Sequence, residues 1–508
     1  MFTALFGGAV RAAQRTHSPL LRLSARGAHT QSRILSALPP SLRFSARPTV
    51  NVHKSARGVA TRVRFFTSTR LASQAPVSPS DAPVPPYTLS NPAVGGWLML
   101  CSAMVFTVVV VGGITRLTES GLSITEWKPV TGVIPPRGAE EWEAEFAKYR
   151  ETPEYKMLNA NMTVEEFKQI FFWEWSHRVL GRLIGVAFVV PLAYFTVRNR
   201  LSPGLPLRLA GLSLLLGAQG VIGWYMVKSG LEEEILHTPG AVPRVSQYRL
   251  ATHLGAALAL YVGMFYTGLS IIKDWKFAKN GSWGGYKPGN SQWARDLQST
   301  VLRNFKRRAG ALTGLVFLTA LSGAFVAGLD AGLVYNEFPY MGENIVPPTD
   351  ELFSPNYAAK DGTQWWRNLF ENPTTVQFNH RVLAVTTYAL TGAFWLATRR
   401  KLALPPSVRR ATAVAFAMAN VQLTLGLTTL LYMVPVPLAA AHQAGSVALL
   451  SAVIHMLIAA RRPSAAARAW RMYNAAAAST APKTASAAAS ASAGVKAALA
   501  GAPKAALA

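Results

Sequence analysis

Eight stretches of this chain stay apolar for about twenty residues at a time: 95–114, 177–197, 207–227, 251–272, 309–329, 380–398, 409–434 and 439–460. A run of that length spans the hydrocarbon of a bilayer as a helix, and in lipid a backbone must satisfy its own N–H and C=O groups. The expected fold is an all-α polytopic membrane protein with eight transmembrane helices. Only 15% of the residues are charged, against roughly a quarter in soluble domains. Small residues within or beside the runs (Gly112, Gly113, Gly217, Gly220, Gly255, Gly323, Gly426) suit close helix packing.

The runs repeat. Glu174-Trp175-Ser176-His177-Arg178-Val179-Leu180 returns as Gln377-Phe378-Asn379-His380-Arg381-Val382-Leu383. Two runs after each copy another histidine opens the span, His253 in one half and His442 in the other. Tyr225-Met226-Val227 likewise returns as Tyr432-Met433-Val434. The expectation is two homologous four-helix bundles of the same topology, 95–272 and 309–462, joined by a linker over 273–308. A parallel repeat argues against the inverted design of many transporters.

The net charge of +27 does not indicate nucleic acid, because twelve basic residues precede residue 71 and seven follow residue 460. Residues 1–73 hold eleven Arg, one Lys and no acid, the composition of a mitochondrial transit peptide. A Pro/Ser-rich linker is expected to run to residue 94, and 463–508 reads as an Ala-rich low-complexity tail, helical or disordered. Basic residues fill the connections after spans two, four and six, whereas 21 of the 24 acids fall in or beside the loops 115–176, 228–250 and 330–379. The Lys/Arg bias then puts both termini in the matrix of a mitochondrial inner membrane, with the acidic loops and all four repeated histidines on the other side. The single Cys101 excludes disulfides and iron–sulfur clusters within the chain.

Ionisable groups inside a membrane are expensive and mark function by default. Two imidazoles from separate helices can clamp one heme iron, so the reading is one bis-histidine site per half: His177 with His253, and His380 with His442. Zinc or copper fits less well, since no Cys or second carboxylate lies nearby in sequence. Arg178 and Arg381 are either cations snorkelling to the interface or partners of heme propionates. Glu174 shares a helical face with His177 and is either a charge favoured near a helix N-terminus or a catalytic carboxylate. Gln377 in the other half cannot ionise. His455 is expected to be structural, and His237 solvated.

The stretch from Gly112 to Ser123 (GG-x-TRLT-x-SGLS), the EWSHR stretch from Glu174 to Arg178, and the paired His253 and His442 together resemble the mitochondrial heme A synthase (Cox15/CtaA) family over roughly residues 90–462. The resemblance implies oxidation of the C8 methyl of heme O to a formyl group, giving heme A for cytochrome c oxidase. It also implies that heme O occupies the half carrying His177, His253 and catalytic Glu174, and that heme B resides in the half carrying His380 and His442. Implied partners are heme O synthase, cytochrome c oxidase assembly factors, membrane lipid and an electron acceptor, for which a ferredoxin is a candidate. Small-residue faces permit a homo-oligomer without demanding one. Some bacterial members carry a cysteine pair in the first loop; this chain has none there. Two alternatives stay open: a diheme b-type membrane electron carrier that transforms neither heme, and a heme chaperone or transporter.

Overall fold

The computed structural model describes residues 88–480 apart from 130, 239–240, 359–361 and 402. The expected transit peptide, most of the linker after it and the tail beyond residue 480 lie outside the described residues. Among the described residues the regular structure is helical, with no strand longer than an isolated bridge between Met341 and Asn344.

Helix α1, Pro92–Leu117, starts where the Asn91 side chain accepts from the backbone N–H of Ala93 and Pro92 fills the first turn. The long loop after it carries α2, Ala139–Arg150, and α3, Pro153–Met157. Its Phe146 and Tyr149 pack with Phe167 and Phe171 into a small aromatic core. Those last two residues belong to α4, Val164–Val197, which opens on a capping box between Thr163 and Glu166. At 34 residues and 1.5 Å per residue, α4 is about 51 Å long, well beyond a bilayer core of about 30 Å. His177 therefore lies inside the helix, not at its start. The chain continues through α5, Leu205–Lys228; α6, Glu234–His237; α7, Gln247–Asn280; α8, Gln292–Asp296; and α9, Thr300–Gly328. A second long loop holds α10, Thr349–Leu352, and α11, Asn368–Glu371. It leads to α12, Pro373–Thr398; α13, Pro406–Leu431; α14, Val436–Ala459; and α15, Ala465–Thr480.

Seven of the described helices are long and apolar enough to cross a membrane. Helix α12 is the expected span that is not among them. It has the length, 26 residues, but carries Gln377, Asn379, His380 and Arg381 together with six threonines. The groups that make it interesting chemically are the ones that lower its hydropathy.

Helices α1, α4, α5 and α7 pack in a closed ring, and α9, α12, α13 and α14 pack in another. The rings meet through α1 on α14, α7 on α9, and α7 on α14. Leu98, Val105, Met264, Leu312, Val447 and Ile454 are buried in this core. Polar links cross it: Tyr261 Oη with Ser451 Oγ at 2.6 Å, Gln443 Nε2 donating to the Val109 carbonyl at 2.9 Å, and Arg116 with Asp330 at 2.8 Å. Small residues permit the approach, since a Cβ on Gly95 would stand 2.9 Å from the Gly268 carbonyl oxygen.

The Tyr-Met-Val echo does not survive in three dimensions. Tyr225 to Val227 continue α5, whereas Met433 and Val434 turn out of α13 at φ 59 and 56. The left-handed region is costly for a β-branched residue, and here it is closed by Val434 N–H donating to the Thr429 carbonyl at 2.8 Å. At the other end, the opening of the expected low-complexity tail is ordered as α15. It lies along α7, with Asn474 Nδ2 donating to the Ala278 carbonyl at 3.0 Å and Arg471 Nη1 to the Lys279 carbonyl at 3.2 Å.

Candidate functional site

One cavity of about 1190 Å³ opens within the two rings, and His177, His253, His380 and His442 all line it. Pockets for a single drug-sized ligand run to about 1,000 Å³ at most, so the space suits larger cargo. Each imidazole rests on a glycine of a neighbouring helix. A Cβ at Gly112 would stand 2.8 Å from His177 Nε2, one at Gly223 3.1 Å from His253 Cε1, one at Gly323 3.4 Å from His380 Cε1, and one at Gly426 2.8 Å from His442 Cε1. The neighbouring Gly113 serves the other direction, giving the Gln443 side chain room to cross between rings.

The His177 and His253 rings are 6.4 Å apart, centroid to centroid. Two imidazoles on opposite sides of one metal, at metal–nitrogen bonds of about 2 Å, need a separation of this order. Among the described residues no group of three or more His, Cys, Asp or Glu converges as a metal site. The donor set on offer is thus a pair of imidazoles per ring, which suits an iron already held by a porphyrin.

The two pairs differ in how their Nδ1 atoms are held. His380 Nδ1 shares a 2.7 Å hydrogen bond with Ser322 Oγ. The Gln422 amide nitrogen donates to the His442 carbonyl at 3.0 Å and lies 3.1 Å from His442 Nδ1, so an amide N–H faces that ring nitrogen; its Oε1 is buried without a partner. In the other ring, Gln219 reaches only the His253 carbonyl, at 3.4 Å, and His253 Nδ1 is buried without a partner. Gln219 with Gly223, and Gln422 with Gly426, stand at the same spacing on α5 and α13. That repeated Gln-x-x-x-Gly pattern is the sequence signal that marks these two residues in each half.

Glu174 is 3% exposed and fully engaged. Its Oε2 accepts from Ser123 Oγ at 2.7 Å and from the Ile124 N–H at 2.8 Å; its Oε1 accepts from Arg178 Nη2 at 2.7 Å and Nε at 3.1 Å. Arg178 also donates to the carbonyls of Ile124 and Glu126, at 2.9 and 3.1 Å. Salt bridges from Lys128 and Lys148 hold the Glu126 carboxyl below its usual range. Gln377 and Arg381 occupy a related arrangement, both donating to the Tyr335 carbonyl, with Arg381 also reaching that of Tyr340. Both arginines thus clamp a long loop to a helix. Where guanidinium capacity remains is instructive: Arg116 Nε, Arg182 Nη1 and Arg381 Nε are buried, lack partners, and belong to residues lining the cavity. Sequence reasoning did not single out Arg116. His455 and His237 do not line the cavity, and His17, His29 and His53 lie outside the described residues.

These features fit a heme in each ring: facing imidazoles, glycine floors that leave space for them, an apolar wall, and unpaired guanidinium N–H groups for carboxylates. Several known proteins are similar to this chain. The COX15-CtaA family model, described as cytochrome oxidase assembly protein, matches residues 95–454. The chain is 48% identical over 397 residues to the heme A synthase–mitochondrial ferredoxin fusion protein of Schizosaccharomyces pombe, covering 77% of this chain and 64% of that protein. It is 43% identical to heme A synthase COX15 of Saccharomyces cerevisiae over 80% of this chain and 83% of the relative. For heme A synthase COX15 of Homo sapiens the identity is 46%, over 74% and 85%.

Proposed function

The chain belongs to the COX15-CtaA family of cytochrome oxidase assembly proteins, and from that premise we propose how its two rings divide the work of heme A formation. It is a membrane-bound oxidoreductase that converts heme O to heme A for cytochrome c oxidase. The ring of α1, α4, α5 and α7 takes heme O between His177 and His253. The ring of α9, α12, α13 and α14 retains heme B between His380 and His442. The two rings are a parallel repeat of four spans each, α12 being the eighth, in the mitochondrial inner membrane with both termini in the matrix.

The observation that carries this division is the unequal anchoring of the imidazoles. A hydrogen bond at Nδ1 fixes a ligating ring and raises its basicity, which suits a resident group. Ser322 Oγ can provide that for His380, and Gln422 packs its amide against the His442 ring; His253 Nδ1 has no partner. Less restrained rings suit a site whose occupant must enter as substrate and leave as product.

Changing a methyl to a formyl group with oxygen from water removes four electrons and four protons. A bound heme B supplies one-electron chemistry to carry the electrons away. Within the substrate ring Arg116 and Arg182 would hold propionates through their unpaired N–H groups, and Arg381 would do so in the other ring. Glu174, salt-bridged to Arg178 at 2.7 Å, would stand beside the substrate, where a carboxylate favours developing positive charge. A ferredoxin is the proposed electron acceptor, on the strength of the fusion protein's name.

The test is extraction of hemes from purified protein, with chromatography and mass spectrometry. Heme B together with heme O or heme A is expected; His380→Ala or His442→Ala should lose heme B selectively. Heme B alone, with heme O supplied during expression, would instead indicate a diheme electron carrier.

A further inference from the structure

Both oxygens of Glu174 are occupied by donors, two to each, so that carboxyl is built into the loop anchor and has no lone pair free to take up a proton from the cavity. A second carboxyl reaches the same cavity. Glu154, in the first turn of α3, is 3% exposed, lines the cavity, and stands in the long loop rather than in a membrane helix. The loop is built to hold it there. Thr152 caps α3 by accepting from the Tyr155 N–H and donates its own hydroxyl to the Tyr149 carbonyl at 2.7 Å. Tyr149 donates its phenol to Glu154 Oε2 at 3.1 Å and accepts from Asn159 Nδ2 at 2.8 Å. Beneath lies the aromatic core of Phe146, Tyr149 and Phe167. Glu154 has no salt bridge among the described residues, in contrast to Glu174.

We propose that Glu154 is the proton-exchanging carboxyl of the substrate ring, taking up protons released in the cavity and returning them to solvent on the loop side. This rests on the heme A synthase reading and extends it. In each cycle the carboxylate accepts one proton from the cavity, becomes the acid, and releases the same proton to water, so the residue ends unchanged. The Tyr149 hydrogen bond is available to both forms and holds the group in place between them.

The charges around Glu154 suit the task. Burial raises its carboxyl to about 8; the charges of Glu174 on α4 and Glu119 after α1 push the same way, while the Tyr149 hydrogen bond and Arg116 oppose. The short helix α6, packed on α3, presents Glu234 and His237, both exposed. A group poised near working pH can gain and lose a proton in turn. In the other ring, the long loop pairs Tyr335 with Glu351, but Glu351 is exposed and does not line the cavity. The buried acid belongs to one half, as does Glu174.

The experiment compares wild type, Glu154→Gln and Glu154→Asp as purified full-length, heme-loaded protein. Glu154→Gln is expected to bind hemes as wild type does yet form heme A about 100-fold more slowly. Because the carboxylate is the accepting form, wild-type turnover should rise with pH toward about 8; the Gln variant should lose that rise and the Asp variant recover it in part. Independently of turnover, infrared titration should show a protonated carboxyl that deprotonates near 8 and is missing from Glu154→Gln. Wild-type turnover or an unchanged pH profile in Glu154→Gln overturns the proposal, and so does an infrared titration the substitution leaves intact. Wild-type protein that binds hemes but makes no heme A overturns the underlying functional reading instead, and the proposal with it.

Discussion

Glu174 and Gln377 each stand four residues before an arginine that grips loop carbonyls, but Glu174 accepts from that arginine and from its loop, whereas Gln377 donates to the Tyr335 carbonyl. In Glu174→Gln one oxygen becomes an NH2 group facing donors, and Arg178 loses its anionic partner while keeping the Ile124 and Glu126 carbonyls. Removing one member of a buried pair costs about 3 kcal/mol, which lowers unfolding temperature but leaves the imidazoles in place. The expected outcome is a variant with normal bound heme by absorption spectroscopy and no heme A by chromatography. Normal heme A formation would reduce Glu174 to an anchor of the loop. The four histidines and this Glu/Gln asymmetry were legible because they recur in the chain. The work of Arg178 was not, because its partners are backbone carbonyls of residues 124 and 126, which leave no trace in side-chain pattern. Glu154 was hidden for a related reason: in sequence it is one acid among many in an acidic loop, and only the aromatic core beneath it makes it buried.

Helices reveal themselves in sequence by apolar length, and that signal misleads wherever function interrupts it. Helix α4 runs on into the aqueous loop because the aromatic residues Phe167 and Phe171 extend its packing surface, so the apolar run marked only part of it. Helix α12 fades because its polar site residues lie within the span. Glycines on the helices that face the imidazoles were read as generic packing residues, yet their spacing to the rings is graded. A Cβ at Gly426 or Gly112 would meet a histidine ring at 2.8 Å, whereas at Gly323 the contact is an ordinary 3.4 Å. Overpacking costs about 1–3 kcal/mol, roughly five- to 150-fold in an equilibrium. Gly426→Ala should therefore deplete heme B by at least about fivefold, Gly112→Ala should deplete the substrate heme similarly, and Gly323→Ala should retain both. Heme content per protein decides it; depletion in all three alike would mean the glycines serve helix packing in general.

At the scale of the molecule, each ring closes on itself and the two adhere along α1, α7, α9 and α14. The linking segment after α7 reaches the other ring at Gly284, whose carbonyl accepts from the Ser407 N–H at 3.0 Å, and then becomes exposed from Lys287 to Asn290. Membrane helices fold first and associate afterwards through packing and hydrogen bonds, so a chain break in that exposed stretch removes only a tether and the local concentration it confers. The contacts that cross the interface, Gln443 to Val109, Tyr261 to Ser451 and Arg461 to Asp274 at 2.7 Å, are untouched by a cut between Gly289 and Asn290. Two fragments expressed together should consequently copurify and form heme A, at a lower yield than the intact chain. Substituting Gly113→Val in such a split protein should weaken copurification in part, because a Cβ there would lie 1.6 Å from the Gln443 amide oxygen and displace the side chain that reaches the Val109 carbonyl. Copurification and product formation distinguish the outcomes: fragments that fold and bind their hemes apart would mean the rings are independent modules, whereas fragments active only when joined across α1 and α14 make the shared cavity the working unit.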